Sequence, residues 1–531
     1  MTNLDKPIFA LKNLPEVVMG AMFSRYSRST KSLRRVLLEE FINAPETGFK
    51  EIVSVGTGSG TGGCADELIA IKKAEEFYDR VLVGFGDDSV AELAGAHIAV
   101  ERVSNIASKV LEDARIGISP LEKSTRYVYF DQKPDGKYLY YEEPMLMKSG
   151  FAGLYVKTMD RLFDTYSALI PKVSAYVIEK FPQEKEVSER AYKSSVRAKT
   201  CDILRGILPA GTITNLGMFG NGRAFEYLIT KMYAHPLQEM KDIGSEMHNE
   251  LAKVIPSFVK RANDRYGKEQ QQFISETANA IETLSLDFAS SSEPQKSVVL
   301  VDCDPNDEAE IKAVSAILYS HLHLPFVAIV EKVKKLDSGQ RKKIIDEYCM
   351  RRKNRRHKPG RAFENVNYTF DILGNYGMFR DLHRHRILTQ ERQLISTNNG
   401  YDLPPELVEA GFDDDFQGAM EVAKLAFEEI SREYPKEAQY VVPFAYKIRW
   451  YMTMNLREAY HFCELRSMPQ GHIDYRRIAQ QIYLEIKRVH PNLSEHIKFV
   501  DMSEHGLERL EAEKKTDKRL EEIERKYSKS V

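Results

Sequence analysis

The sequence predicts a mixed α/β (α+β) protein made of two tandem repeats, with small sheets flanked by long helices. Three observations predict it. At 531 residues the chain is longer than one ordinary core organises, so two or more domains are expected. Long amphipathic helical stretches outnumber clear strand runs, as in layered helix-and-sheet architectures. A set of landmarks also recurs in one order in both halves: a start ending in Glu, a helix's length to an Arg, a polar loop, helices, then Pro followed by Asn-x-Arg.

Composition bounds the class. With 29% charged and 43% hydrophobic residues the chain reads as globular rather than disordered. A net charge of −2 excludes a globally basic nucleic-acid coat. Cys64, Cys201, Cys303, Cys349 and Cys463 are scattered, without CxxC and odd in number, so neither a disulfide framework nor a structural metal is expected, and a reducing cytoplasm suits them. The start, MTNLDKPIFALKNLPEVV, lacks a basic region followed by an apolar run, and no stretch approaches a membrane span.

Residues 16–46 carry a helical pattern with a basic first half. EIVSV (51–55) reads as a buried strand leading into GTGSGTGG and a helical run. Gly58, Gly60 and Gly63 have the GxGxxG spacing of a dinucleotide turn. The surplus of glycines leaves a flexible turn as the alternative. The apolar spacing predicts a helix over 89–113, opening at an Asp/Ser cap. It ends before the polar loop SPLEKSTRY. Residues 147–200 read as long helices, and Asn221-Gly-Arg223 opens another. The polar stretch 260–297 is the linker candidate. VVLVDCD (298–304) reads as a strand and DEAEIKAVSAILYSHL as a helix. The basic run 349–361 has no interleaved aromatics, so it reads as a solvated face rather than a nucleic-acid groove. In Asp381-Leu-His-Arg-His-Arg386 four of six residues are His or Arg. Such neighbours cannot share one face of a helix or strand. They suit a helix end, where they converge on phosphates or an anionic ring. Residues 402–436 are acidic and helical, and 491–531 form a charged helical tail.

The repeat sets the domains. Pro209 precedes Asn221 by twelve residues, and Pro443 precedes Asn455 by twelve. Ser89-Val-Ala-Glu92 precedes Arg115 by a helix's length, as Arg361-Ala-Phe-Glu364 precedes Arg386. The expected organisation is a first repeat over 20–260, a linker over 261–297, a second repeat over 298–490 and the tail.

With these landmarks in place the chain resembles the flavin-dependent thymidylate synthase family, over roughly 50–245 and 298–480. Arg384-His385-Arg386 fits that family's Arg-His-Arg motif, and Asn455-Leu-Arg457 with Arg466 fits its Asn-x-Arg…Arg element. In the first half Ser89 and Glu92 fit the Ser/Thr…Glu element, Ser124-Thr125-Arg126-Tyr127 the Ser-x-Arg-Tyr end, and Arg205 with Leu208-Pro209 the Arg-x-x-Leu-Pro element. Each half departs from the pattern. Asp113-Ala114-Arg115 stands where the first half should read Arg-His-Arg, and an acid there would repel an anion. In the second half Leu394 stands for the serine and Gln439 for the arginine. Each half holds most of what the other lacks.

The resemblance implies methylation of dUMP at C5, with methylenetetrahydrofolate as carbon donor, NADPH as reductant and FAD supplying the hydride. It implies that Glu122, Lys123, Ser124, Thr125 and Arg126 with Arg384 and Arg466 hold the nucleotide, and that Arg205, Arg384 and Arg466 carry the catalytic charge. Ser89, Glu92, Arg384, His385, Arg386, Asn455 and Arg457 would contact FAD or folate, and Asn221 and Arg223 would do so at a second, degenerate site. A homodimer would rebuild the family's tetramer. Two other readings stay open: modification of another pyrimidine nucleotide or an RNA base, and a catalytically dead binding or assembly module.

Overall fold

The computed structural model describes residues 1–42 apart from 4, 13, 15 and 28, and residues 91–288 and 296–528. The expected strand 51–55, the glycine turn with Cys64, and Ser89 lie outside the described residues. The elements that bear on the site are, in chain order, β1 Gly95–Ser104, α1 Asn105–Asp113, β2 Ile118–Glu122, α2 Ala152–Lys180, α3 Glu189–Leu204, β3 Ile213–Asn221, α4 Gly222–Ala234 and α5 Arg265–Ser285. They continue with β4 Val298–Cys303, α6 Asn306–Tyr319, β5 Asn367–Asn375, α7 Tyr376–Leu382, β6 Leu388–Arg392, α8 Asp413–Ile430, β7 Lys447–Asn455, α9 Leu456–Arg466 and α10 Ile473–Val489.

These elements gather into two compact units. Met1–Lys123 with Thr214–Ser291 form the first, and Ser124–Ile213 with Ser292–Val531 form the second. Residues 124–213, from the first half of the sequence, therefore fold with the second half. Within the stretch read as a linker, Arg265–Ser285 forms α5, along which Gly267 is buried.

In the first unit the strand order is β1-β3-β2, with β2 antiparallel to β3 from Ile118 opposite Gly220 to Glu122 opposite Leu216. The expected helix over 89–113 is corrected here. Residues 95–104 are a strand, in which Ala96 and Val100 are buried while His97, Ala99 and Glu101 are exposed. That two-residue period with β-branched Ile98, Val100 and Val103 overrides the alanines that suggested a helix. The helix starts only at Asn105, where Ser104 Oγ accepts the Ala107 N–H at 3.0 Å.

The second unit holds a four-stranded antiparallel sheet, β4-β5-β7-β6. Along β7, Ile448, Trp450, Met452 and Met454 all face inward. The predicted long helices appear as α2, which buries Tyr155, Met159, Leu162, Tyr166, Leu169 and Val173 at helical spacing, and α3. The two sheets share the order β1-β3-β2 and β5-β7-β6, the topological trace of the repeat.

Inside the second unit, equivalent segments of the two repeats meet. Pro209 bridges Pro443, Ala210 N–H donates to Val442 O at 2.8 Å, and Phe444 N–H donates to Leu208 O at 2.9 Å. The pairs are centred on the two prolines, so equivalent residues face each other across a local twofold axis. A Cβ on Gly211 would come within 2.8 Å of Met159 Cε and 2.9 Å of Tyr440 O, so this close approach requires glycine. Among the described residues no helix is long and apolar enough to cross a membrane.

Candidate functional site

The basic residues of the second unit converge through two carboxylates. Asp202, in the last turn of α3, accepts Arg126 Nε at 2.6 Å and Nη2 at 2.5 Å, a bidentate pair. Arg126 Nη1 also donates to the Tyr475 hydroxyl at 3.3 Å. Asp381, near the end of α7, accepts Arg205 Nη1 at 2.9 Å. Burial would raise both carboxyls, but Arg126 outweighs it at Asp202, and Arg205 with Arg384 and Arg126 outweighs it at Asp381. Both are held far below the carboxylate range. Arg466 lies near the same Tyr475 ring, 5.9 Å from its centroid, and makes no ion pair among the described residues. Burial lowers its pKa, and Arg384 opposes its charge while Tyr475 and Asp381 favour it.

Arg205 carries the one open valence of this group. Its Nη2 is buried without a partner, and the residue lines a cavity of about 340 Å³ together with Asp202, Asn375, Asp402, His472 and Asp474. Asn375 braces that wall. Its Oδ1 caps α7 on Met378 N at 2.8 Å, and its Nδ2 reaches Asp402 at 2.9 Å and Asp474 at 2.8 Å. A buried unsatisfied guanidinium N–H is costly, so a polar ligand atom is the natural complement.

A second chain of buried groups runs through the Arg-His-Arg motif. Arg384 and Arg386 are exposed and His385 between them is buried. His385 Nδ1 lies 2.5 Å from Glu458 Oε1, and Arg466 Nε donates to His385 Nε2 at 2.8 Å. Arginine can only donate, so Nε2 is the acceptor and the proton sits on Nδ1, facing Glu458. Burial pushes the Glu458 carboxyl up to about 7, against Lys358, Arg466 and Arg457. Burial likewise takes His461 down to about 4.

The remaining predicted residues divide by unit. Ser124, half-buried, accepts the Arg126 N–H at 3.2 Å, and Thr125 Oγ1, buried, accepts Arg380 Nη1 at 3.2 Å. Glu122 belongs to the first unit and is not available to a ligand: it is buried against Lys109 Nζ at 2.9 Å and Ser108 Oγ at 2.9 Å. Lys123, exposed, closes that unit's first segment. Asn221 and Asn455 are helix caps, accepting Ala224 N at 2.8 Å and Glu458 N at 2.9 Å. Arg223 pairs with Glu92 at 2.9 Å, and Arg457 pairs with Glu364, also at 2.9 Å, so both repeats keep one Glu–Arg clasp.

Strand register and helix caps align the two repeats differently here. Counting back four residues from Ile118, opposite Gly220, and from Leu388, opposite Met454, sets Ala114 at the place of Arg384. Counting nine residues on from the capping Ser104 and Asn375 sets Asp113 there, as in the sequence reading. By either count the first repeat has no cation at the place of Arg384.

Sequence reasoning missed Asp202, Glu458, His461, His472 and Tyr475. Only Glu458-x-x-His461, which puts two polar side chains on one face of α9, left a local signal. Asp381 stood at the head of the stretch Asp381–Arg386 but drew no role. Burial pushes Cys201 and Cys349 up to about 12, so neither is a ready thiolate.

The chain was compared with known proteins. The family model Thy1, described as thymidylate synthase complementing protein, matches residues 42–257 and 299–492. A UPF0159 protein of Chlamydia muridarum is 47% identical over 522 residues, covering 97% of this chain and 96% of its own. A flavin-dependent thymidylate synthase of Sulfurisphaera tokodaii is 32% identical over 151 residues, 26% of this chain and 56% of its own. Among solved structures, the UMP/dUMP methylase PolB of Streptomyces cacaoi, bound with 5-Br dUMP, aligns 94% of its chain with 38% of this one, at 19% identity and a TM-score of 0.32.

Proposed function

The chain belongs to the Thy1 family of thymidylate synthase complementing proteins, and from that premise we propose that it converts dUMP to dTMP in a flavin-dependent reaction at one composite site in its second unit. The observation that carries the reading is the Arg205 guanidinium, buried, paired through Nη1 with Asp381 and left with an unpartnered Nη2, on a residue that lines the cavity. In this reading it donates to the pyrimidine and stabilises negative charge developing on the ring, an electrostatic rather than nucleophilic role. Ser124 and Arg126, with Arg384 and Arg466, hold the phosphate by charge-assisted hydrogen bonds. Asp202 keeps the Arg126 fork planar and aimed, and Asp381 does the same for Arg205.

The residues present fit FAD. His385, accepting from Arg466 and set between Arg384 and Arg386, with Arg466 half-buried and in no ion pair among the described residues, suits an anion attached to a ring system. Arg384, His385, Arg386, Asn455 and Arg457, all in the second unit, would hold it, and Asn221 and Arg223 would belong to a second, degenerate site in the first. Bound FAD, reduced by NADPH, supplies the hydride, and methylenetetrahydrofolate supplies the carbon. Two chains would assemble four repeats.

Tritium release from C5-labelled dUMP, measured with and without FAD and methylenetetrahydrofolate, tests the reaction. Release that requires both is expected. Arg384→Ala and Ser124→Ala should each abolish dUMP-dependent NADPH oxidation, and full activity in one with loss in the other would refute the shared site. A colourless protein that ignores added FAD and releases no tritium would favour the dead module. Sedimentation should give a dimer of the 60.9 kDa chain, and a stable monomer would count against the assembly.

A further inference from the structure

Among the described residues, His385, Glu458 and His461 place ligand-capable atoms within 4.8 Å of one another. A divalent cation is disfavoured there. His385 Nε2 already accepts from Arg466, and its Nδ1 faces Glu458. After burial, the causes that lower His461 are three cations, Lys358, Arg466 and Arg355, so the local potential is positive. The cluster asks for a different account.

We propose that Glu458 is a positioning residue that acts through His385: it takes the Nδ1 proton as its hydrogen bond, leaving Nε2 as the acceptor that orients the Arg466 guanidinium in the nucleotide and flavin site. The proposal rests on the second unit being the reactive one. Carboxylates that fix an imidazole tautomer are a general device for aiming the opposite ring nitrogen. The local build supports it. Glu458 is anchored at the start of α9, its own N–H held by Asn455 Oδ1 at 2.9 Å, so its side chain projects from a capped first turn.

The other repeat supplies an internal control. Glu458, Arg466 and His461 correspond to Ala224, Met232 and Tyr227, and His385 corresponds to Arg115 by the strand register or to Ala114 by the caps. The Glu–Arg clasp and the capping asparagine survive in both repeats, yet every member of this chain is gone from the first. Loss of the whole set while its scaffold persists is the pattern of groups that work only together. Among the described residues the groups facing Glu458 are His385, His461, Lys358, Arg457 and Arg466, and its carboxyl is raised by burial to about 7. The hold on His385 therefore loosens as pH falls through about 7.

The experiment uses the full chain labelled with ¹⁵N-histidine, with no ligand added. His385 is identified by the resonance missing from His385→Asn. The expected result is the Nδ1–H tautomer in the wild type and in Glu458→Gln, whose amide oxygen still accepts, and its loss in Glu458→Ala. FAD retention after desalting, read from visible absorbance, and dUMP affinity by calorimetry should weaken on the order of tenfold or more in Glu458→Ala and under about threefold in Glu458→Gln. The Gln variant should also lose the break near pH 7 in dUMP binding. An Nε2–H tautomer in the wild type, or equal losses in both variants, overturns the proposal. So does tight Zn²⁺ binding that disappears in Glu458→Gln and in His461→Ala. If the wild type binds neither FAD nor dUMP, the site assignment fails, while the tautomer spectrum still decides what Glu458 does.

Discussion

Arg205 and Gln439 stand at equivalent places, four residues before Pro209 and Pro443, yet do different work. Arg205 pairs with Asp381 and lines the cavity, whereas Gln439 Oε1 accepts the Ile395 N–H at 2.9 Å and braces backbone. Arg205→Lys keeps the charge but loses the planar fork, so tritium release should fall on the order of 100-fold with little unfolding. Arg205→Ala also strands the buried Asp381, and chemical denaturation should register a loss of about 3–5 kcal/mol in the second unit. Titration adds a signature. Asp202 and Asp381 ionise lower in the fold than in the unfolded chain, so the stability they contribute is complete above about pH 4 and is lost as pH falls further. Glu458 runs the other way. Raised to about 7, it favours the fold fully below the unfolded value, and that benefit is lost as pH rises through about 7. Glu458→Gln should therefore raise stability at pH 8 by on the order of 3 kcal/mol and leave it unchanged at pH 4, as read from denaturation midpoints.

Four of the helices that follow a sheet strand open on a short polar cap, whereas α6 after β4 opens on Pro305 without one, and the cap decides what the helix presents. Ser104, Asn221, Asn375 and Asn455 each accept the N–H three residues on. Their structural weight differs. Asn221→Ala removes a cap and should cost about 1 kcal/mol. Asn375→Ala removes a cap and also the two donors shared by Asp402 and Asp474, so its cost should be about 2–4 kcal/mol and the cavity wall should loosen. Unfolding midpoints of the two variants, compared side by side, check the ranking. The two asparagines that open Asn-x-Arg were legible because a cap is a local event. β1 was not, because its alternation was masked by alanine and glycine, and the burial that selects strand over helix is set by partners far along the chain.

At the scale of the whole molecule, the second unit brings arginines from both repeats together, joined where residues 206–211 run antiparallel to residues 440–445. Gly211→Ala touches none of the site residues but intrudes on Met159 and Tyr440. Overpacking there should destabilise the second unit by about 1–3 kcal/mol and lower dUMP affinity together with it. The same arrangement predicts one dUMP and one FAD per chain by equilibrium titration, with Arg115→Ala leaving turnover intact and Arg466→Ala removing it. Two equivalents of each per chain would show that the first repeat retains a working site.

The sequence by itself determined the two-repeat organisation, the long helices and the capping asparagines. These are read from composition, spacing and order, which need no partner. Only the tertiary structure decided which cations share a carboxylate, that Glu122 is spent on Lys109, and that Glu458 stands behind His385. The physical reason is that an ion pair or hydrogen bond acts over about 3 Å in space and is indifferent to sequence distance. Arg126 meets Tyr475 across 349 positions and Arg205 meets Asp381 across 176. Arg384-His385-Arg386 looked like one basic knot in the sequence; the fold exposes its arginines and buries its histidine between a carboxylate and a guanidinium.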